Sequence, residues 1–201
     1  MVKQERAART RETLVRAAAA QFDREGYAGA SLSKISRAAG ISLGAVTFHF
    51  PNKAGLAEAV EKAGRDEVTR TLRRMSDSPT APLQQLADLT LELARLIEQE
   101  DTVRALLRLE RERAATAPWT EIWLPTADEL LRRAYDSGDL RASAHPKAMA
   151  TLVVHLVAGA EIVLRRHRSA GAPAPESAAD LLARIWQLVL TGVSSSEAAR
   201  L

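Results

Sequence analysis

Two short apolar-patterned stretches meet at Ala38-Ala39-Gly40-Ile41-Ser42, and nothing else in the chain restricts its fold as tightly. Leu32, Ile35, Ala38 and Ala39 fall on one face of a helix over residues 31–39, which Gly40 stops. Ser31 stands ahead of that helix, and Ser42 is placed to cap a second one over residues 43–50. Gly40 is expected to give a sharp bend with positive φ, where a Cβ would clash. Longer patterns frame the pair. Residues 6–25 carry Leu14, Ala17, Ala18, Gln21 and Phe22 at helical spacing and end at Gly26, expected in left-handed C-cap geometry. After Pro51 and Asn52, residues 53–75 resume with Leu56, Ala59, Val60, Ala63, Val68 and Leu72. Two short helices joined by a glycine turn between longer ones make a helix-turn-helix.

Beyond a linker at 76–82, helical patterns cover residues 83–100, 102–115, 120–137, 146–166 and 178–192. Gly138 ends the third of these, and Pro146 suits the first turn of the fourth, the most apolar of all. Residues 169–177 form a Pro/Ala/Gly joint. No strand pattern or repeat interrupts this. The expected fold is all-α with about nine helices, a three-helix head over residues 1–52 and a larger helical domain over 53–201.

Charge is divided unevenly. Residues 1–53 hold nine Lys/Arg (Lys3, Arg6, Arg9, Arg11, Arg16, Arg24, Lys34, Arg37, Lys53) against four acids, while the rest is mildly acidic. A basic head on such a body points to a polyanion. There is no cysteine, so disulfides and thiolate metal sites are excluded. The N-terminus lacks an apolar signal core, and no uninterrupted apolar run approaches the ~18–20 residues of a membrane span. The expected location is therefore the cytoplasm, at the nucleoid, with no membrane partner. His145, His155 and His167 form no metal spacing, and no nucleophile elbow, P-loop or spaced acid pair exists. Glu110, Glu112 and Glu161 read as helix-face charges, so no enzyme, metal or cofactor is expected.

The run from residue 10 to 60, "TRETLVRAAAAQFDREGYAGASLSKISRAAGISLGAVTFHFPNKAGLAEAV", resembles the N-terminal domain of TetR-family transcriptional regulators. Phe22, Gly26-Tyr27, Ser31, Ile35, Ala38-Ala39-Gly40, Ile41-Ser42, Gly44, Phe48-His49-Phe50, Lys53 and Leu56 carry the likeness. Within that family "KQERAARTRETL" and "AVTFHFPNK" are similar to the γ-butyrolactone-receptor group, as is Trp123, which lies 15 residues before Gly138. The resemblance implies a ligand-responsive repressor that binds a palindromic operator in double-stranded DNA as a homodimer. It implies an effector-binding and dimerising C-terminal domain, with the helix at 53–75 shifting when ligand binds. The effector would be butyrolactone-like or an antibiotic-type metabolite.

A recognition helix must pack one face and offer the other to a groove about 12 Å wide. Val46 and Phe50 share a face and should be core; Gly44, Ala45, Thr47 and Phe48 remain for DNA, with Ala45 and Thr47 the leading base-edge or methyl contacts. Ser31, Ser33, Lys34, Ser42, His49 and Lys53 are the phosphate candidates. The resemblance implies a ligand site at Trp123, with Val60, Gly64, Leu156 and His155 as further pocket candidates; His155 also fits a dimer interface. Val153, Val157, Ala160 and Leu164, with Ile185, Trp186 and Val189, are the candidate dimer contacts.

Departures from the group are specific. Leu43 stands where it usually has Lys, and Thr47 where it has Tyr. Gly64 and Leu156 stand where its pocket often offers Gln and Thr to a lactone. Losing such hydrogen-bond partners costs about 1–3 kcal/mol each, so a larger or more apolar effector than a plain γ-butyrolactone is expected. Leu43 and Thr47 also keep open a second reading, a ligand-binding or interaction module whose DNA head has degenerated.

Overall fold

The computed structural model describes residues 2–76, 79–113, 117–141, 143–169 and 176–194. Among them lie nine helices: α1 Val2–Gly29, α2 Leu32–Ala39, α3 Leu43–His49, α4 Lys53–Met75, α5 Pro82–Gln99, α6 Asp101–Glu112, α7 Thr120–Asp136, α8 Pro146–Ser169 and α9 Ala178–Val193. No strand occurs among the described residues; a single antiparallel bridge links Leu140 and Ser194. Side-chain caps set several starts. Ser31, Ser42 and Ser177 each accept a backbone N–H three residues on, at 3.2, 3.3 and 3.0 Å, and Asn52 does the same for Gly55 at 2.9 Å.

The chain forms two compact units. The first holds α1, α2, α3, α4 through Glu67, and α6; the second holds the remainder of α4 with α5, α7, α8 and α9. The placement of α6 has no signature in the sequence, because its polar partners lie 45 to 85 residues away. In the first unit, Leu14, Ala18, Phe22, Ile35, Val46, Phe50, Leu56 and Val60 form one core with Ala105 and Leu109 of α6. Polar contacts lock the same helix in place. Arg104 pairs with Asp23 at 2.8 Å with both side chains nearly buried, Arg108 donates to the Asp23 carbonyl at 2.7 Å, and Arg65 donates to Glu110 at 2.9 Å. Arg113 donates to Glu61 at 2.9 Å and lies over the Tyr27 ring.

Gly26 departs from the expected cap. Its φ of 73° comes with a ψ of 178°, outside the left-handed helical region, in territory essentially reserved for glycine. The bend lets the Tyr27 amide donate to Glu112 of α6 at 2.5 Å, and a Cβ on Gly26 would fall on that carboxylate. Gly40 does take left-handed geometry (φ 65°, ψ 27°), but nothing lies within 4 Å of where its Cβ would be. Its requirement is conformational, and no clash enforces it.

In the second unit α5 contributes the most buried surface, through Leu86, Leu89, Thr90, Leu93 and Ala94. The buried Trp186 indole donates to Thr90 at 2.5 Å, and the Thr90 hydroxyl donates onward to the Ala87 carbonyl at 2.8 Å. α8 differs from its expected reading. By length and composition alone residues Pro146–Arg168 could cross a membrane, yet only 28% of the most apolar stretch is buried.

Candidate functional site

The sequence Ser36-Arg37-Ala38-Ala39-Gly40-Ile41 turns sharply because three bonds close it. The Gly40 amide donates to the Arg37 carbonyl at 3.2 Å and the Ile41 amide to Ser36 at 3.1 Å. The buried Ser36 hydroxyl then donates to the Ile41 carbonyl at 2.5 Å. That last bond, which helical periodicity could not reveal, fixes α3 against α2. Ile35, Val46 and Phe50 are buried between them.

What α3 leaves outside is small and apolar. Ser42, Leu43, Gly44, Thr47 and Phe48 are exposed, Phe48 at 81%, while Ala45 and His49 are half-buried. Such exposure places Phe48 outside the chain's own core; it makes only an edge contact with His49, at 5.3 Å between ring centres. No heavy atom lies within 4 Å of a Cβ built on Gly44. The Thr47 hydroxyl bonds back to the Leu43 and Gly44 carbonyls at 3.1 and 3.0 Å, which uses its only proton.

The phosphate candidates separate. Ser33 is exposed, and Ser31 and Ser42 present capping hydroxyls at helix starts. Lys53 is partly occupied: its ammonium donates to the Tyr27 and Ala30 carbonyls at 2.7 and 3.1 Å and sits over the Tyr27 ring. It closes the C-terminal end of α1, a clamp inside the head that takes two of its three N–H donors and leaves one for the expected phosphate contact. Lys34 likewise donates to Glu25 at 2.5 Å and to the Gly29 carbonyl at 3.1 Å, though it stays exposed. Arg37, exposed in the last turn of α2, is a further cation on this side of the turn that helical periodicity does not single out. Its signal was only its place beside the turn.

Several ligand and dimer candidates lie elsewhere than expected. Val60 is fully buried in the core of the first unit. A side chain on Gly64 would strike the Thr102 carbonyl and Leu106, so glycine there serves close approach of α4 and α6 and could offer no hydrogen bond to a ligand. His155 is exposed on the helix surface, its Nδ1 2.7 Å from the Thr151 carbonyl. Trp123 is fully buried and Leu156 half-buried, both in the second unit. Val153, Val157, Ala160, Leu164 and Trp186 are buried in the chain's own core and cannot present themselves to a second copy. The outward stripes are Thr151, His155, Ala158 and Ile162 on α8, and Leu181, Ile185, Leu188 and Gly192 on α9. Val189 is half-buried beside the second of these.

Glu112 ties the head together electrostatically. Burial works against its charge, but hydrogen bonds from Arg108 and the Tyr27 amide outweigh that and hold its pKa below the ordinary range. Its stabilisation is complete above the unfolded pKa (about 4.3 for Glu) and is lost as pH falls through the lower folded value. Glu110 has the opposite sign, raised by burial against the Trp119 amide and Arg65. Denaturant titrations run from neutral pH down through the carboxylate range should therefore show a shallower acid loss for Glu112→Gln than for the natural protein. An unchanged slope would remove Glu112 from this role.

Residues 14–60 match the bacterial regulatory proteins of the tetR family. Over 200 residues the chain is 30% identical to the A-factor receptor protein of Streptomyces griseus, covering 96% of this chain and 67% of that one. It superposes on the crystal structure of a γ-butyrolactone receptor (ArpA-like protein) with a TM-score of 0.76 at 31% identity, across 97% of this chain and 92% of the other. The structure of CprB from Streptomyces coelicolor in complex with its biological operator sequence aligns at a TM-score of 0.70 and 30% identity, over 94% and 90% of the two chains. With its helix-turn-helix in the matched segment and its helical body aligned throughout, the chain belongs to the TetR family of bacterial regulators, alongside the γ-butyrolactone receptors.

Proposed function

We propose that this protein is a ligand-responsive transcriptional repressor that binds a palindromic operator as a homodimer. A small, largely apolar effector releases it. The observation that supports this most is the outward face of α3, a capped two-turn helix whose Val46 is buried while Gly44, Thr47 and Phe48 are exposed. Residues 1–52 would carry the DNA contacts, with residues 53–201 taking effector and partner. α4 connects the two roles, since it contributes to both compact units. Two heads about 34–36 Å apart would enter successive major grooves. Such a regulator works in the cytoplasm at the nucleoid and needs no catalytic step, metal or cofactor.

Chemistry assigns the contacts within that reading. With its proton committed to α3, Thr47 offers a methyl and acceptor lone pairs, which suits a thymine methyl or a base amino group better than a phosphate. Ala45 adds a second methyl. Ser31, Ser33, Lys34, Ser42 and His49 would hold the backbone, joined by Arg37. Gly44→Glu sets a carboxylate on the open face, where it would meet phosphate and base acceptors. Its expected result is loss of at least about 100-fold in a mobility-shift assay on the promoter fragment of its own gene, with circular dichroism unchanged. A fully retained shift would sink the α3 assignment.

The second reading, a degenerate head, draws on the same face: Leu43, 45% exposed, and Thr47 bring no charge to it. Under repression the natural protein already shifts the promoter fragment. Under degeneracy only Leu43→Lys with Thr47→Tyr does. For the effector, the blocked space at Gly64 supports a ligand other than a plain γ-butyrolactone, held near Trp123 and Leu156. Tight calorimetric binding of a plain γ-butyrolactone would overturn that.

A further inference from the structure

Within the second unit, the last turns of α4 meet α5 and α7 around an open cavity of about 780 Å³, a size that suits a small organic molecule. Neither Trp123, Leu156 nor His155 lines it. Leu72, Leu89 and Leu130 give it an apolar wall, and arginines and carboxylates stand along its edges.

Those charges are not equally available. Glu92 accepts from Arg95, Glu129 takes bonds from Arg132 at 2.6 and 3.0 Å, and Asp88 accepts from the Gln84 amide at 2.9 Å. Arg74 donates to the Thr71 hydroxyl at 2.8 Å. Arg73 and Arg133 line the same cavity, both exposed, and their side chains make no hydrogen bond or ion pair among the described residues. Every carboxylate on the rim thus has a donor, while the Arg73 and Arg133 guanidinium groups make no hydrogen bond beside a leucine wall, Arg133 acting on Glu129 only through space.

We propose that this cavity binds amphipathic anions, molecules with one carboxylate head and an apolar tail, the head held by Arg73 and Arg133 and the tail by Leu72, Leu89 and Leu130. A guanidinium matches a carboxylate in shape and charge, and gives up its hydration more readily than an ammonium does. A neutral tail alone leaves both arginines to water and keeps only the apolar contribution. A cation gains no guanidinium contact and is repelled by both arginines. The site is separate from the effector site of the repressor reading and does not depend on it.

The test titrates the full chain with decanoate, methyl decanoate and decyltrimethylammonium by calorimetry, below their aggregation concentrations. Decanoate should bind at least about 10-fold tighter than the ester, and more weakly as salt rises. Arg73→Ala with Arg133→Ala should weaken decanoate about 10-fold or more while leaving the ester unchanged. Thr126→Trp, which puts a bulky side chain into the cavity without altering charge, should weaken both. Circular dichroism of each variant controls for folding. Equal affinity for acid and ester, preference for the cation, or full decanoate affinity in the arginine double variant would each overturn the proposal. Decanoate held instead beside Trp123 gives that last result.

Discussion

Leu188→Asp is expected to turn the protein into a monomer in light scattering and to lower operator affinity about 10²–10⁴-fold, the advantage that two linked heads hold over one. Leu188 is 76% exposed near the end of α9, and Leu181, Ile185 and Gly192 continue its stripe at helical spacing. On α8, Ala158 and Ile162 form a matching outward stripe, on a helix apolar enough for a membrane and only 28% buried there. An apolar surface of that kind calls for a partner, and a second copy is the occupant that a palindromic operator requires. A buried aspartate at the centre of such a face would cost several kcal/mol of association. The circular dichroism spectrum should stay that of the natural protein, since Leu188 is largely exposed within its own chain. Val157→Ala provides the contrast: Val157 is 1% exposed, so its loss should lower stability and leave the dimer intact. A dimeric Leu188→Asp protein would refute this face.

Gly26→Ala should destabilise the head severely. A residue with a Cβ held at φ 73° and ψ 178° costs about 1–3 kcal/mol in backbone strain. The new methyl also displaces the Glu112 carboxylate, the end of an exposed side chain, and the Tyr27 amide loses that acceptor for about another 0.5–1.5 kcal/mol. Together that is a large share of the ~5–15 kcal/mol that a domain has. Urea unfolding followed by circular dichroism should register it as a lower midpoint. Gly40→Asn is the control. Its φ and ψ lie in the left-handed region that Asn visits, and no atom stands within 4 Å, so its cost should stay under about 1 kcal/mol. Equal losses for the two variants would show that the Glu112 contact contributes nothing.

These two glycines show where local reading stops. Both follow an apolar-patterned helix and both read as caps, yet only Gly40 adopts the cap geometry. Gly26 answers to a carboxylate 86 positions away, on a helix whose own pattern says nothing about which unit it joins. The same limit explains Lys53. A lysine at a helix start beside a DNA-facing motif suits phosphate, but the carbonyls of Tyr27 and Ala30 take two of its three donors. Val60 and Gly64 belong to the same class, since α6 occupies the space assigned to ligand.

Spacing, capping serines and turn glycines were enough to set the number and order of the helices, the helix-turn-helix at Ala38–Ser42, and the buried pair Val46 and Phe50. These are short-range matters, decided within one or two helical turns by backbone geometry and periodicity. Which apolar stripe of α8 and α9 turns inward was not decided there. α8 is apolar nearly all round, so its 3.6-residue period offers several equivalent faces, and Val153, Val157, Ala160 and Leu164 served as well as any. Contact with α5 and α7 buried that set and left Ala158 and Ile162 outside. Choosing between equivalent stripes takes partners distant in the chain, and only the assembled helices supply them.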